Sequence, residues 1–198
     1  MDLNELTKNY RKYKWFFTST GKLVIGGKSA EQNEELLYYI KNIDRDFIVM
    51  HTSHPGSPFS IIMDDIKKIK QEDIDECAIF TGCFSRAWKQ GRKKTEVHIF
   101  KASQLYKKKD MKKGTWGVTG IIKKINVELK LALTTQKGVL RAIPESSLKN
   151  KKDILLKICP GKTPKEILTP KLQIELNRHY PYNELLSALP AGGIRICK

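Results

Sequence analysis

Residues 15–29 read WFFTSTGKLVIGGKS. Two apolar runs, WFF and LVI, flank Thr20-Gly21, and aromatic and β-branched side chains favour extended backbone, so the stretch predicts a β-hairpin. Gly26-Gly27 ends the second strand. Ser29 then opens a helix, with Gln32 at capping-box spacing, where each side chain satisfies an unpaired backbone N–H. Leu36, Leu37 and Ile40 give that helix one apolar face. The GGKS ending also looks like a phosphate-binding P-loop, G-x-x-x-x-G-K-[ST]. That pattern needs its first glycine where Lys22 stands, and Leu23, Val24 and Ile25 prefer a strand to an anion-wrapping loop, so a nucleotide hydrolase of this type is rejected.

Outward from the hairpin, DFIVMHT and FSIIM read as strands separated by the loop HPGSP, whose Pro55, Gly56 and Pro58 exclude regular structure. Apolar residues at helical spacing predict one mostly buried helix from Glu72 to Lys89, with Trp88 in the core. EVHIF is a strand, YKKKDMKKG a charged loop, and WGVTGII and VELKLALT a further pair of strands. Beyond Pro144 the texture changes to a Lys-rich helix, a strand DILLKIC, a helix opening near Thr163-Pro164, a short helix NELLSALP and a closing GGIRIC. These elements predict an α+β protein: a mixed or antiparallel sheet with packed helices over residues 1–145, and a small C-terminal α/β extension over 146–198.

The 198 residues are 40% hydrophobic, enough for one sizeable core, and carry 37 Lys+Arg against 21 Asp+Glu, a formal charge of +16. Such an excess points to a polyanionic partner, nucleic acid before an anionic membrane surface. From Arg86 to Lys124 stand 13 basic and 2 acidic residues, whereas Asp64 to Glu76 holds six acids against three lysines, so the charge is gathered on a face. Four cysteines without a C-x-x-C pair argue against a disulfide scaffold or zinc ribbon and for a reducing cytoplasm. No signal-peptide core and no apolar run near the ~20 residues of a membrane helix is visible, so a soluble cytoplasmic protein without a membrane partner is expected.

Against this background the opening run resembles that of the NFACT-R domain, the RNA-binding module of ribosome-associated quality-control factors, which also occurs alone. The family opening, W-F-x-[ST]-x-[DG]-G-x-L-x-[IV]-x-G-[RK]-x-A-x-x-N-E, is met by Trp15, Phe16, Thr18, Gly21, Leu23, Ile25, Gly27, Lys28, Ala30, Asn33 and Glu34. A D-[IL]-[WY]-x-H-x-x-x-x-G-[AS] segment is approached by Asp46, His51, Gly56 and Ser57, and S-x-A-W-x-x-G by Ser85, Ala87, Trp88 and Gly91. WGVTGIIKK is similar, more loosely, to a later glycine-containing segment. The chain departs from the pattern at Ile48, where an aromatic is usual, and at Ser53, where an acid is. The resemblance covers about residues 10–145 and implies an RNA partner, tRNA or ribosomal RNA, and through it the ribosome, in translation or ribosome-associated quality control. Lacking the large factors' N-terminal domain, helix-hairpin-helix and coiled coil, the chain is not expected to recruit tRNA and elongate a nascent chain by itself.

Candidate RNA contacts fall into three groups. Around the hairpin, Gly26, Gly27 and Lys28 at a helix start offer N–H groups and a positive dipole end to phosphate, with Lys14 and Lys22 nearby. Trp15 and Trp116, beside Lys14 and Gly117, are stacking candidates, with core packing as the alternative. At the loop, His51, Gly56 and Ser57 are candidates, while Asn33 is assigned a buried structural hydrogen bond. The basic segment adds Arg86, Lys89, Arg92, Lys93 and Lys94, then Lys107, Lys108, Lys109, Lys112 and Lys113. Neither a cofactor nor a metal is expected, since H-x-x-H at His51 and His54 has no further ligand at suitable spacing, and Ser57 lacks a nucleophile elbow and a nominated acid. The competing readings are an enzyme or enzyme subunit acting on RNA, with His51 and Ser57 in its pocket, and a DNA-binding or sensing protein.

Overall fold

The computed structural model of the protein describes residues 3–177 and 179–197. In chain order the main elements are α1 (Leu3–Lys8), β1 (Lys14–Phe17), β2 (Leu23–Gly26), α2 (Ala30–Lys41), β3 (Ile48–Thr52), β4 (Ser60–Ile62), α3 (Gln71–Cys83) and α4 (Arg86–Lys89). They continue with β5 (Lys94–Lys101), the short β6 (Leu105–Tyr106) and β7 (Gly117–Val118), β8 (Lys123–Glu128), β9 (Leu131–Gln136) and β10 (Val139–Ile143). Finally come β11 (Leu156–Pro164), α5 (Lys165–Glu175), α6 (Tyr182–Ala188) and β12 (Gly193–Cys197).

The expected hairpin forms: Trp15 pairs with Ile25 and Phe16 with Val24, and Gly21 turns the chain at φ 88°. It is one edge of an antiparallel sheet in the order β1-β2-β4-β3-β5-β8. Alternation sends the cross-strand row Trp15, Ile25, Ile61, Val49 and Phe100 to one core, shared with Leu36, Leu37 and Ile40 of α2. Phe16, Val24, Ile62 and Ile48 face the other core, beneath α3 with its Cys77, Phe80 and Cys83. The fold is therefore α+β, a sheet between helices.

Where one helix is expected from Glu72 to Lys89, the structure has two. The first ends at Cys83, and Ser85 starts the second by accepting from the Ala87 N–H. Trp88 is fully buried as expected, its indole N–H donating to the Gly193 carbonyl. The Lys-rich helix expected beyond Pro144 is replaced by two isolated turns of 3-10 helix.

A second antiparallel sheet runs β10-β9-β11-β12, with α5 and α6 packed on it. The change of sheet thus comes at Leu131, ahead of the texture change at 145. This sheet meets the free side of β1 through side chains. Gln136 accepts from the Phe17 N–H and donates to the Phe17 carbonyl, and Arg141 Nε donates to the Trp15 carbonyl at 3.1 Å. The β11–β12 pairing also brings Cys159 and Cys197 into a disulfide, a single bridge that the reading against a disulfide scaffold did not anticipate, while Cys77 and Cys83 stay free and buried. Their separation of 38 residues has no motif signature, because strand pairing alone makes them neighbours. The cysteine pattern consequently no longer argues for a reducing compartment. Among the described residues no helix is long and apolar enough to cross a membrane.

Candidate nucleic-acid interface

The two ends of the β1–β2 hairpin are built differently. At the turn, the buried Asp73 of α3 accepts from the hydroxyls of Thr18 (2.6 Å) and Thr20 (2.5 Å) and from the Lys70 N–H. Buried Glu76 accepts from the Ser19 N–H and the Ser147 hydroxyl. Lys22, a candidate phosphate ligand, is instead ion-paired with Asp64 at 2.6 Å. Part of the acidic run is thus a clamp on the turn.

At the opposite end, the start of β1, the end of β2, the start of β4 and the end of β3 border a cavity of about 570 Å³. Lys14, Gly27, Lys28, His51, Gly56, Ser57 and Trp116, all candidates from the sequence, line it. Their convergence depends on two glycines. A Cβ on Gly27 would stand 2.4 Å from Asn33 Oδ1, which accepts from the Phe59 N–H in the structural role expected of Asn33. Gly56 has φ 105°, open to glycine, and its amide oxygen receives the Arg86 N–H.

The helix start differs from the expected phosphate cradle. Ser29 accepts from the Gln32 N–H, but Gln32 Oε1 reaches back to the Lys28 N–H rather than that of Ser29. The Glu31 carboxylate takes its own N–H and the Ser29 hydroxyl, which lowers its pKa. The cap is largely self-satisfied, so the cations of the cavity are its side-chain lysines.

Those lysines lack carboxylate partners among the described residues. The Lys14 ammonium lies over the Phe84 ring at 4.4 Å. Burial, then the positive charges of Arg141, Lys165 and Lys28, push its pKa down to about 7. Burial and Arg141 also depress Lys28. Arg141, 5% exposed, sits between the two sheets over the Trp15 ring at 4.7 Å, and burial lowers it to about 10 despite Glu184. Lys165 donates to the Leu186 carbonyl, and it too is lowered by burial. Arg141 and Lys165 were not among the candidates. Arg141 left a signal, a lone cation in the apolar strand VLRAI.

Trp15 corrects the sequence reading. Its ring is 2% exposed, edge-on to Tyr10 at 4.8 Å, because strand alternation turns it into the α2 core; it offers no stacking face. Trp116, 8% exposed, reaches the cavity but is held edge-on to Tyr38 at 4.9 Å. His51 stacks on Phe59 at 4.4 Å and pairs its Nδ1 with the Thr52 carbonyl at 2.7 Å. Burial lowers its pKa to about 4, so near neutrality the ring is uncharged, with Nδ1–H the donor and Nε2 an acceptor. Ser57 Oγ accepts from the Thr52 N–H, so His51 and Ser57 each serve the Thr52 backbone rather than one another.

The basic loop is less free than its composition suggests. Lys107 is ion-paired with Glu34 of α2 at 2.9 Å and donates to the carbonyls of Lys112 and Thr115, while the Gly114 N–H joins Glu34 at 2.6 Å. Burial opposes ionisation of Glu34, but Lys107 and the Gly114 N–H outweigh it and lower its pKa. Lys107 is therefore a strut, and Lys108, Lys109, Lys112 and Lys113 are exposed on the loop it holds. Arg86 and Arg92 share a smaller cleft with His54 and Pro55. Lys89 and Lys93 are exposed, and Lys94 is 3.5 Å from Glu128. Among the described residues no three His, Cys, Asp or Glu side chains gather as a metal site.

Fold and site together define an α+β module with a cation-lined pocket at one end of its main sheet. Residues 12–120 match the family described as NFACT protein RNA binding domain, and the chain belongs to that family. A curated relative, the archaeal Rqc2 homolog aRqcH of Methanocaldococcus jannaschii, is 30% identical over 204 residues, covering 96% of this chain and 30% of its own length. The chain thus spans under a third of that relative. The C-terminal part of the fibronectin/fibrinogen-binding protein from Streptococcus suis superposes with a TM-score of 0.51 at 22% identity, covering 58% of this chain and 44% of that one, a likeness of fold.

Proposed function

We propose that this chain is a non-catalytic RNA-binding protein that contacts tRNA or ribosomal RNA through a basic face, in translation or ribosome-associated quality control in the cytoplasm. The observation that carries this reading is the segregation of charge within an RNA-binding domain. Acids are spent on the hairpin turn and the loop strut, while Lys14 and Lys28 at the cavity and most cations from Arg86 to Lys124 have no ion pair among the described residues. Phosphates are the fitting counter-charge. The archaeal relative, named as an Rqc2 homolog, supports the ribosomal setting. The engagement of both His51 and Ser57 with Thr52 supports a binding rather than a catalytic role.

Filter binding of tRNA across a salt series tests the reading. With six to ten phosphates neutralised, affinity should fall by roughly 10³ to 10⁵ between 50 and 200 mM salt. A flat series would sink the electrostatic account. Crosslinking in cells should enrich tRNA or ribosomal RNA, and a diffuse background would count against those partners.

A further inference from the structure

The cavity carries more than phosphate attraction. Its volume, about 570 Å³, lies within the roughly 300–1,000 Å³ of small-molecule sites. One side is aromatic, with the stacked His51 and Phe59 and the Phe84 ring. Lys14 and Lys28 line the same cavity, and behind them stands the buried Arg141 guanidinium, with Lys165 of the second sheet's α5 adding to the field at Lys14. The Lys14 ammonium lies over the Phe84 ring, so the positive end of the cavity and its aromatic wall are contiguous.

An unstacked nucleotide has that same polarity: a flat ring at one end and an anion at the other. Proteins that read single-stranded RNA hold splayed bases against aromatic rings and take the adjoining phosphate on cations. His51 adds a polar element, because its uncharged ring leaves Nε2 as an acceptor, with no hydrogen bond among the described residues.

We propose that this cavity receives one unstacked RNA nucleotide, with the base against His51 and Phe59 and the phosphate at Lys28 and at Lys14, whose ammonium lies on Phe84. The inference rests on the RNA-binding reading above and adds to it that the protein selects RNA with a free base, at a loop, bulge or end, over continuous duplex. Arg141 and Lys165 act through the field at the phosphate end, which ties the second sheet to the work of the first.

The experiment compares a twelve-nucleotide single-stranded RNA with an abasic oligomer of equal length and charge, by fluorescence anisotropy at one salt concentration. The native chain should bind the base-bearing RNA roughly 10- to 100-fold more tightly, the worth of a stacked base. Narrowing the cavity from its rim with Ser53→Leu and Thr115→Leu together should abolish most of that preference while leaving abasic binding and the salt slope unchanged. Melting is measured alongside. Should the double variant unfold early, His51→Ala, which removes a ring of the wall, is compared on the same two oligomers and should also lose the preference. Equal affinity for both oligomers, or a preference that survives in folded variants, overturns the nucleotide pocket while leaving RNA binding in place. Failure to bind either oligomer overturns the RNA reading itself.

Discussion

The hairpin that opens the main sheet has one satisfied end and one unsatisfied end. At its turn, Thr18, Ser19, Thr20 and Lys22 all reach carboxylates of Asp73, Glu76 or Asp64. At its strand ends, Lys14 and Lys28 face a cavity with no acid among the described residues to meet them, and burial makes their charge harder to keep. Polar residues of similar kind, a few positions apart, thus serve stability at one end and remain available to a ligand at the other. The difference lies in what α3 supplies: two buried carboxylates beneath the turn, and the Phe84 ring just beyond its end beneath Lys14.

The strongest way to break the comparison is at the turn. Asp73→Ala strips the acceptor from two hydroxyls and the Lys70 N–H. The buried Thr18 hydroxyl would be orphaned at a cost of about 1–3 kcal/mol, and the part-buried bonds from Thr20 and the Lys70 N–H to a charged acceptor are lost with it, so chemical denaturation should show a loss of roughly 3 kcal/mol or more. An unaffected midpoint would mean that the turn is not held from α3.

Lys14→Met probes the other end and should act in the opposite sense. With its folded pKa depressed to about 7, Lys14 has given up its proton where the unfolded chain still holds one, so stability contributed by this residue rises with pH from about 7 toward its ordinary value of 10.5. Below about pH 7 the buried charge imposes its full penalty. Lys14→Met should therefore stabilise the chain near and below neutrality, on the order of 2 kcal/mol, and flatten that pH dependence. RNA affinity should fall in the same variant. A destabilised Lys14→Met with native RNA affinity would show that both ends of the hairpin are structural.

The smallest effect sharpens the division within the basic loop. Lys107→Ala should lower stability by about 1–2 kcal/mol, through the lost Glu34 pair and two carbonyl bonds, whereas Lys108→Ala should leave melting unchanged and weaken RNA binding alone. Equal behaviour of the two variants would remove the distinction between strut and contact.

Much of this is legible in the chain where the signal is local. Period and capping locate the hairpin, the helix after Ser29 and the buried Trp88, and the family opening maps onto the hairpin, with Lys28 at the cavity. What escapes depends on distant pairing. Gln136 meets Phe17 across 119 residues, and Lys107 meets Glu34 across 73, so neither partner marks the other in sequence. Trp15 misleads for a different reason: a tryptophan beside a lysine looks the same whether the strand turns it to solvent or to the α2 core. Both faces of this sheet are covered, which removes the polar alternation that would have told the two apart.

The side-chain seal along β1 also bears on how the protein can be divided. An outermost strand with open amides and carbonyls is a template for strands of other molecules. Here Gln136 and Arg141 occupy that template with groups too short to propagate a ladder. A fragment cut at residue 120, where the family match ends, would carry the hairpin without its cover and lose β8, which borders β5, as well. Two raw margins would then be presented at once, and chains could stack through them. In this protein the second sheet is what covers the hairpin edge of the first.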